Sequence, residues 1–388
     1  MRDVFLLGAA RTPIGGFGGA LAARTAPELG AVAIRAAVER AGVAPDAIEQ
    51  VIVGNVVGAG LGQAPARQAG LGAGIPPSHG ALTVNEVCGS GLMAVWLGAQ
   101  AIQTGAAETL VAGGMESMSR APYLLPGLRS GHRLGHGRVV DAMIHDGLWD
   151  PYGDFHMGSA AEACVRDRAM PRARQDAWAE TSYRRAQAAI AEGRFRDEIA
   201  AVDVPGRRGT SVVVDTDEEP ARVDFARIAS LKPAFAPHGT ITAANASTIA
   251  DGAAALVVSG APGGAPLARI VAAATAGRAP AEFPIAPVDA IRRVLARAGL
   301  RAGDVDLWEI NEAFAVVVLA AIDDLGLDPA RVNVHGGAIA LGHPIGASGA
   351  RVLVTLLSAL RQRNLRRGCA ALCLGGGEAI AMIVERPI

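Results

Sequence analysis

The hydrophobic and polar positions of this chain follow one pattern in two distant stretches. Residues 33–42 carry apolar positions at helical spacing and end at a glycine, and an apolar strand-like run follows at 51–53. Residues 290–299 repeat the helical pattern, again ending at a glycine, and a strand-like run follows at 307–310. Each stretch predicts a helix, a polar turn and a strand, and the two keep the same register.

A second pair of segments repeats in the same order. Residues 110–116 read as an apolar strand that runs into glycines and a glutamate, and residues 372–378 read in the same way. Chance could produce either repeat alone, but two in the same order favour an internal duplication. Strands that alternate with helical segments predict two similar α/β halves, each a mixed sheet covered by helices.

The character of the sequence changes between the two halves. From residue 119 to 248 the pattern is irregular and rich in Gly, Pro, His and Arg, except for one amphipathic helix predicted at about 172–192. An irregular insertion of this size usually carries binding or assembly functions. A Gly/Pro-rich linker is expected near 259–264. The predicted domains are 1–118 with 249–264, an inserted domain at 119–248, and 265–388.

Composition excludes several classes of protein. The chain has 388 residues and a net charge of −1, which carries no signature of nucleic-acid binding. Lys232 is its only lysine, which we attribute to compositional bias. No apolar run is long enough to span a membrane, and residues 1–8 lack the length of a signal peptide. The four cysteines show neither a disulfide framework nor a metal-ligand spacing, so we expect no metal and a cytoplasmic protein with reduced thiols.

Cys88 is the first candidate for chemistry. It lies in residues 84–92, between a strand-like approach and a helix-like continuation that begins with Gly89-Ser90-Gly91. A thiol over a helix N-terminus is close to aligned peptide dipoles and free N–H groups, so we expect a lowered pKa and a reactive thiolate. The alternative is a small core residue, which the exposing glycine turn disfavours.

Two further segments supply groups that could work with this thiol. His343 lies in the glycine-rich segment 336–346 and is a natural general base, although a histidine beside proline often only packs or caps. Cys373 lies on a predicted strand that enters a glycine turn at 375–377, and its alternative reading is a buried strand residue. The remaining cysteines, Cys164 and Cys369, are assigned to the core.

These segments, together with Asn311-Glu312-Ala313-Phe314-Ala315 and Arg11-Thr12-Pro13-Ile14-Gly15, resemble the thiolase family over essentially the whole chain. The resemblance implies a thiolase fold: two similar α/β halves forming a layered αβαβα core. It also implies that the inserted segment is a loop domain that covers a coenzyme A site and carries a tetramerisation loop. No metal or redox cofactor is implied, because coenzyme A thioesters are the substrates.

The resemblance also implies roles for five residues. Cys88 is the nucleophile that forms an acyl-thioester, His343 is its base, and Cys373 is a second acid and base. Asn311 holds a water that forms one oxyanion hole with His343, and the backbone N–H groups of Cys88 and Gly375 form the other. Asn311 could also cap a helix, since Asn is favoured at that position.

Substrate contacts are implied less directly. Ser247 matches a serine that touches the pantetheine chain, although it could be a turn or cap residue. His156 and Met157 resemble the short-chain branch of the family, in which they crowd the acyl pocket. Phe283 falls where that branch carries a methionine, and its ring should keep the pocket short or reshape it for another short acyl group. Ala244 replaces a usual glycine, so the loop must adjust if that position has positive φ. The remaining implied contacts, which could equally be core residues, are Leu148, Phe235, Ala243, Ala313 and Phe314.

The implied activity is that of an acetyl-CoA C-acetyltransferase, the reversible condensation of two acetyl-CoA to acetoacetyl-CoA and CoA. A homotetramer is expected, with no nucleic-acid or membrane partner. The nearest alternative is a broader 3-oxoacyl-CoA thiolase of fatty-acid or aromatic degradation. A decarboxylating ketosynthase would use one cysteine with two histidines. A non-catalytic relative that binds CoA or lipid would lack one of the reactive residues, and all are present.

Overall fold

The computed structural model describes residues 2–206 and 209–387. Its strands are β1 (Phe5–Arg11), β2 (Gly15–Gly16), β3 (Gln50–Gly54), β4 (Gly80–Val84), β5 (Thr109–Ser117), β6 (Tyr123–Leu124), β7 (Val140–Asp141), β8 (Trp149–Asp150), β9 (Phe155–His156), β10 (Val202–Pro205), β11 (Ser211–Val214), β12 (Ala250–Ser259), β13 (Ala268–Gly277), β14 (Leu307–Ile310), β15 (Arg367–Leu374) and β16 (Glu378–Glu385). Its α-helices are α1 (Ala26–Ala41), α2 (Pro65–Gly72), α3 (Ser90–Gln103), α4 (Met157–Asp167), α5 (Arg172–Ala191), α6 (Ala286–Ala298), α7 (Ala315–Leu325), α8 (Ala338–Leu341) and α9 (Ile345–Gln362).

The predicted duplication is present in the sheet. Strands β3, β5, β12 and β1 are neighbours in that order, and β14, β15, β16 and β13 repeat the order in the second half. In each half the first pair of neighbouring strands is parallel, and the next two pairs are antiparallel. The matching helices α1 and α6 both end at a left-handed glycine, Gly42 with φ 63° and Gly299 with φ 66°. Two copies of one α/β unit therefore build the core.

The two half-sheets join at one short contact. Strand β1 pairs with β13 only at Phe5 opposite Arg269 and Leu6 opposite Ala268. On its other side β1 pairs with β12 along nearly its whole length, with a bulge between Leu6 and Gly8. Beyond the two shared pairs the half-sheets diverge and leave room between them for helices.

Helices α3 and α9 fill that room, which gives the five alternating layers that the family resemblance implies. Helix α3 packs on β5 and β3 of the first half, and α9 packs on strands of both halves. Helices α1 and α2 cover the outer face of the first half, while α6 covers the outer face of the second. Helix α9 is buried almost throughout because it is surrounded by both sheets.

The inserted segment between β5 and β12 is irregular except for α4, α5 and short hairpins. Helix α5 confirms the predicted amphipathic helix, and it buries Trp178 and Tyr183 against the second half. Near the start of the insertion, Tyr123 and Leu134 are large apolar residues that lie exposed. No helix within residues 2–206 and 209–387 is both long and apolar enough to cross a membrane.

Candidate active site

Cys88 lies on a strained turn between β4 and α3. Val87, a β-branched residue, has φ 46°, which L-residues of this shape rarely adopt, and such strain costs about 1–3 kcal/mol. Hydrogen bonds maintain the turn: Ser90 Oγ donates to the Val87 carbonyl (2.6 Å) and accepts from the Glu86 N–H (2.8 Å). Gly89 is the N-cap of α3. The turn thus holds the thiol at the helix N-terminus, as the sequence predicted.

The expected lowering of the Cys88 pKa is wrong for this structure. Burial raises the pKa of the Cys88 thiol to about 12, against the opposing effect of hydrogen bonds from the Gly375 and Cys88 N–H groups. The sequence showed the helix terminus but not the apolar cluster against which Cys88 packs, which includes Val56, Val57 and Ile345. The resting thiol is therefore neutral, and the two N–H groups are donors for a negative charge that develops nearby.

The segment that carries His343 approaches the Cys88 turn because α3 and α9 cross at close range. A Cβ on Gly91 would lie 2.7 Å from the Ala350 nitrogen, and one on Gly349 would lie 2.3 Å from the Leu92 nitrogen, so only glycine fits at the crossing. His343 lies two residues before α9, and its backbone N–H donates to the Thr248 carbonyl (2.9 Å). The crossing brings the segment that carries the imidazole against the helix that carries the thiol.

A serine that the sequence analysis missed fixes the His343 tautomer. The Nδ1 atom of His343 lies 2.5 Å from Ser348 Oγ, which donates its own proton to the Pro344 carbonyl (2.9 Å). Ser348 must then accept, so Nδ1 carries the proton and Nε2 has a free lone pair. Nε2 is buried and has no hydrogen-bond partner among the described residues. Burial, with Arg351 as a second cause, lowers the pKa of His343 to about 3, so the ring is neutral.

Cys373 and Gly375 come from the turn between β15 and β16. Gly376 and Gly377 both have positive φ, 85° and 86°, and turn the chain immediately after Gly375. Cys373 is fully buried, and its pKa is raised well above its usual range, first by burial and second by the neighbouring Cys88 thiol. The two predicted reactive thiols therefore lie close enough to influence each other's ionisation.

Asn311 follows β14, and its backbone N–H donates to the Ala371 carbonyl (2.9 Å). Both side-chain amide atoms are buried without a hydrogen-bond partner in the described part of the chain, so they are free to bind a small polar molecule. The alternative role as a helix cap is wrong, because Phe314 is the N-cap of α7.

Two buried carboxylates brace the loops of the site, and the sequence analysis identified neither. Glu312 accepts hydrogen bonds from Trp178 Nε1 (3.0 Å), Ser182 Oγ (2.7 Å), Asn333 Nδ2 (2.8 Å) and the Ile339 N–H (3.2 Å). It joins the Asn311 loop to α5 and to the segment that leads to His343.

Glu116 has the equivalent role in the first half. Its carboxylate accepts from Asn55 Nδ2 (2.7 Å) and from the N–H groups of Val56 (3.0 Å), Val57 (3.2 Å) and Gly346 (2.9 Å). Gly346 lies in the first turn of α9, where a negative charge is favourable. Glu116 thereby ties the end of β5 to the helix that follows His343.

A groove of about 400 Å³ opens between the inserted segment and the Ser247 loop. Three predicted contacts, Phe235, Ala243 and Ser247, line it. The Ser247 N–H (3.0 Å) and hydroxyl (3.1 Å) both donate to the Ala313 carbonyl. Ala244 does not have positive φ, so the missing glycine requires no adjustment of this loop.

His156 stands beside this groove. Its ring stacks on Phe235 with centroids 5.0 Å apart, and its Nδ1 accepts from the Gly158 N–H (3.0 Å) at the start of α4. The proton of the neutral ring is therefore on Nε2. Met157 approaches the turn with the second thiol, since its sulfur would lie 3.6 Å from a Cβ on Gly375.

The remaining predicted contacts lie deeper. Phe314 packs edge-on against Phe235 (5.9 Å between centroids) and against Phe283 (6.3 Å). Phe283, Ala313 and Phe314 are buried, and none of them lines the groove. Leu148 packs in the cluster around Cys88. The three aromatic rings form a continuous wall from the groove to the core.

Within residues 2–206 and 209–387, no group of three or more His, Cys, Asp or Glu side chains could hold a metal ion. Cys164 and Cys369 are buried, as expected of core residues.

Comparison with known proteins places this site in a family. Residues 4–261 match the thiolase N-terminal domain family and residues 264–386 match the thiolase C-terminal domain family. The chain is 52% identical to an acetyl-CoA acetyltransferase of Pseudomonas aeruginosa and 51% identical to one of Cupriavidus necator, and each alignment covers 100% of both chains. A crystal structure of a thiolase from Ascaris suum in complex with coenzyme A superposes with a TM-score of 0.93 at 45% identity, again over 100% of both chains.

Proposed function

Because the chain belongs to the thiolase family, we propose that it is an acetyl-CoA C-acetyltransferase, which condenses two acetyl-CoA to acetoacetyl-CoA and CoA and catalyses the reverse thiolysis. The observation that carries the proposal is full-length identity of about half to relatives that are named acetyl-CoA acetyltransferases. The second support is a site that holds Cys88, His343 and Cys373 together with backbone donors. No step requires an electron acceptor, because each step moves an acyl group or a proton.

In the first half-reaction, His343 Nε2 takes the proton of Cys88 as the sulfur attacks the carbonyl carbon of acetyl-CoA. The tetrahedral oxyanion accepts hydrogen bonds from the Cys88 and Gly375 N–H groups, each worth about 10²–10³ in rate. The C–S bond to coenzyme A then breaks, and the departing CoA thiolate takes the proton from His343. This leaves acetyl-Cys88 and a neutral imidazole.

In the second half-reaction, Cys373 first passes its proton to His343 Nε2, and the resulting thiolate removes a proton from the methyl group of a second acetyl-CoA. The enolate oxygen is held by His343 and by Asn311 through a water, and the carbanion attacks the carbonyl carbon of acetyl-Cys88. The new C–C bond forms as the Cys88 C–S bond breaks, which releases acetoacetyl-CoA. The imidazolium of His343 finally gives this proton to the Cys88 thiolate, so the protein carries the same protons before and after.

A short acyl group suits the surroundings of the thiols. Met157 lies against Gly375, and the rings of Phe235, Phe314 and Phe283 make a rigid wall beside the groove. Rigid rings leave little room for a longer chain. The second candidate, a broader 3-oxoacyl-CoA thiolase, requires an acyl channel past this wall.

The test is thiolysis of acetoacetyl-CoA and of 3-oxoacyl-CoA from C6 to C16, with wild type, Cys88→Ala and the buried-cysteine control Cys164→Ala. Activity confined to the C4 substrate, lost only in Cys88→Ala, is the expected result. Equal or better activity on longer chains refutes the short-chain assignment and keeps the mechanism. A folded wild type that is inactive at every length refutes catalysis and favours a non-catalytic CoA-binding protein.

We further propose that the protein is a cytoplasmic homotetramer that acts in fatty-acid metabolism. Exposed apolar residues at the start of the insertion, including Tyr123 (69% exposed) and Leu134 (94%), are available for contacts between copies. The edge strand β4 also exposes Leu82. Light scattering coupled to gel filtration tests the tetramer, and a Leu134→Glu variant that stays tetrameric would remove this segment from the interface.

A further inference from the structure

A polar cavity lies apart from the thiols and from the groove beside Ser247. It has a volume of about 350 Å³ and opens where α5 and α9 both end, beneath the segment that leads towards α8. Three arginines, Arg185, Arg194 and Arg363, line it together with His335 and Gln362. None of the residues to which the reaction assigns a role lines this cavity.

The three arginines are not equally occupied. Arg185 is committed to structure: its Nη atoms donate to three backbone carbonyls, and its guanidinium lies over the Trp178 ring. Arg194 uses Nε to bind Glu192 (2.9 Å), which leaves its Nη groups free. The Arg363 side chain makes no hydrogen bond or ion pair with any residue that the structure describes. The cavity therefore has unused cationic donors.

Two neutral polar atoms point to a ligand as well. His335 is only 6% exposed, and its Nε2 has no hydrogen-bond partner among the described residues. Gln362 donates from Nε2 to the Arg194 carbonyl (2.6 Å) and to Ser358 Oγ (3.1 Å), so its buried Oε1 lacks a donor. The Gln362 side chain lies close enough to the His335 ring to raise the pKa of His335, but neither buried atom has a partner of good hydrogen-bond geometry among the described residues.

The side chains that line the cavity have a net charge of +2. Three guanidinium groups and the single carboxylate of Glu192 give +2, since burial and the cations Arg363 and Arg194 lower the pKa of His335 to about 4 and keep it neutral. A phosphate dianion carries the opposite charge, and guanidinium groups are its preferred ligands. A remaining P–OH proton suits the Gln362 oxygen.

We propose that this cavity binds a phosphate-class oxyanion, either inorganic phosphate or the phosphoryl group of a small metabolite, on Arg363, Arg194 and His335. The site lies at the root of the segment that carries the catalytic imidazole, eight residues before His343. The next residues of that segment are already fixed, because the Gly337 N–H binds Ser182 Oγ (3.0 Å). A bound anion would extend this anchoring to the beginning of the segment.

The experiment is calorimetric titration of inorganic phosphate at constant ionic strength into the full-length protein saturated with CoA, so that the groove beside Ser247 is already filled. The variants are Arg363→Gln and Arg194→Gln. Arg301→Gln is the matched control, because the Arg301 side chain is 90% exposed and does not line the cavity. Each variant is first checked for unchanged thiolysis activity, which none of these arginines should affect.

The expected result is one saturable phosphate site per chain. Its affinity should fall at least about tenfold in Arg363→Gln and in Arg194→Gln, since each loses a charge-assisted hydrogen bond, and stay unchanged in Arg301→Gln. Absence of saturable binding in wild type overturns the proposal, as does equal affinity in Arg363→Gln. Binding that is seen only without CoA also overturns it, because the phosphate would then occupy the CoA site. A phosphomonoester that competes with phosphate would identify the metabolite source, whereas binding of inorganic phosphate alone would leave phosphate as the ligand.

Discussion

Replacing Ser348 by alanine tests whether the tautomer of His343 matters for catalysis. Ser348 Oγ is the acceptor for the Nδ1 proton at 2.5 Å, and its own proton is held by the Pro344 carbonyl. Without the hydroxyl, the Nδ1–H group is buried with no acceptor. Nothing among the described residues then favours a proton on Nδ1 over one on Nε2, which also has no partner, and an Nε2–H cannot accept the proton of Cys88.

The magnitude follows from the cost of the lost acceptor. When the ring takes the Cys88 proton it becomes an imidazolium, and its hydrogen bond from Nδ1 to Ser348 Oγ is then charge-assisted and worth about 1.5–3 kcal/mol. Since about 1.4 kcal/mol corresponds to a factor of ten in rate, kcat should fall roughly 10- to 100-fold. KM should change little, because Ser348 is buried behind the imidazole and does not line the groove.

The assay is single-turnover acetylation of the enzyme by acetyl-CoA, combined with steady-state thiolysis of acetoacetyl-CoA. Ser358→Ala, the same change nearly three turns later on α9, is the control for loss of a helical serine and should leave both rates unchanged. A Ser348→Ala enzyme that acetylates within twofold of the wild-type rate would refute the assignment of the tautomer to this serine. A Ser348→Thr variant, which keeps the hydroxyl, should recover most of the rate.

Three further predictions concern other buried groups. Cys373→Ala should still form acetyl-Cys88 from acetyl-CoA, seen as a mass increase on the intact protein, while condensation is lost because no base removes the methyl proton. Glu116→Ala should lower the free energy of unfolding by about 3–5 kcal/mol in urea denaturation, since it leaves several buried donors without an acceptor. Burial raises the pKa of Glu309 to about 8, so the folded state holds this proton more tightly than the unfolded state does, and stability falls as pH rises from about 4.5 to 8. Glu309→Gln should remove up to about 4 kcal/mol of that fall, measured by urea unfolding from pH 5 to pH 8.

Each of these predictions has a contrary outcome. Condensation by Cys373→Ala would exclude that thiol as the base. Exposed Glu282→Ala is the control for Glu116→Ala, and equal small losses in both would show that the four hydrogen bonds are replaced by water. A Glu309→Gln protein with the same pH dependence as wild type would mean that Glu309 is ionised throughout beside Arg351, its partner at 3.8 Å.

Much of the fold could be predicted from the sequence, because local sequence patterns indicate the duplication. The helix that ends at Gly42 and the one that ends at Gly299 are each followed by a strand at the same spacing, and the structure gives both halves the same strand order. The predicted domain limits stay predictions. The contact of two residue pairs between the half-sheets could not be predicted, since nothing local marks where two sheets meet.

The site was only partly accessible. Cys88, His343 and Cys373 stand in segments with distinctive neighbours, so each could be proposed from its own surroundings. Ser348 lies only five residues after His343 in the sequence, but its hydrogen bond to the imidazole depends on how α9 begins. The pKa of Cys88 was predicted in the wrong direction, because burial comes from distant segments whereas the helix terminus is local. The positive φ of Val87 was missed because a β-branched residue ordinarily avoids it.

Glu116 and Glu312 show why buried carboxylates are hard to find from sequence. The repeat at 110–116 and 372–378 aligns Glu116 with Glu378, yet Glu378 is exposed and Glu116 is fully buried. Charged residues are ordinarily exposed, and only the surrounding donors reveal the exceptions.

The position of β12 in its sheet has a consequence for synthesis on the ribosome. β12 lies between β1 and β5, and it is made only when residues 250–259 emerge, long after both neighbours. Until then the nascent first half has two strands, β1 and β5, whose facing edges lack their partner, and the whole inserted segment is translated after β5 before that partner appears. Long-range strand pairing of this kind is slow and leaves edges open to wrong partners. The first half therefore closes late, at nearly the moment when the second half begins to appear.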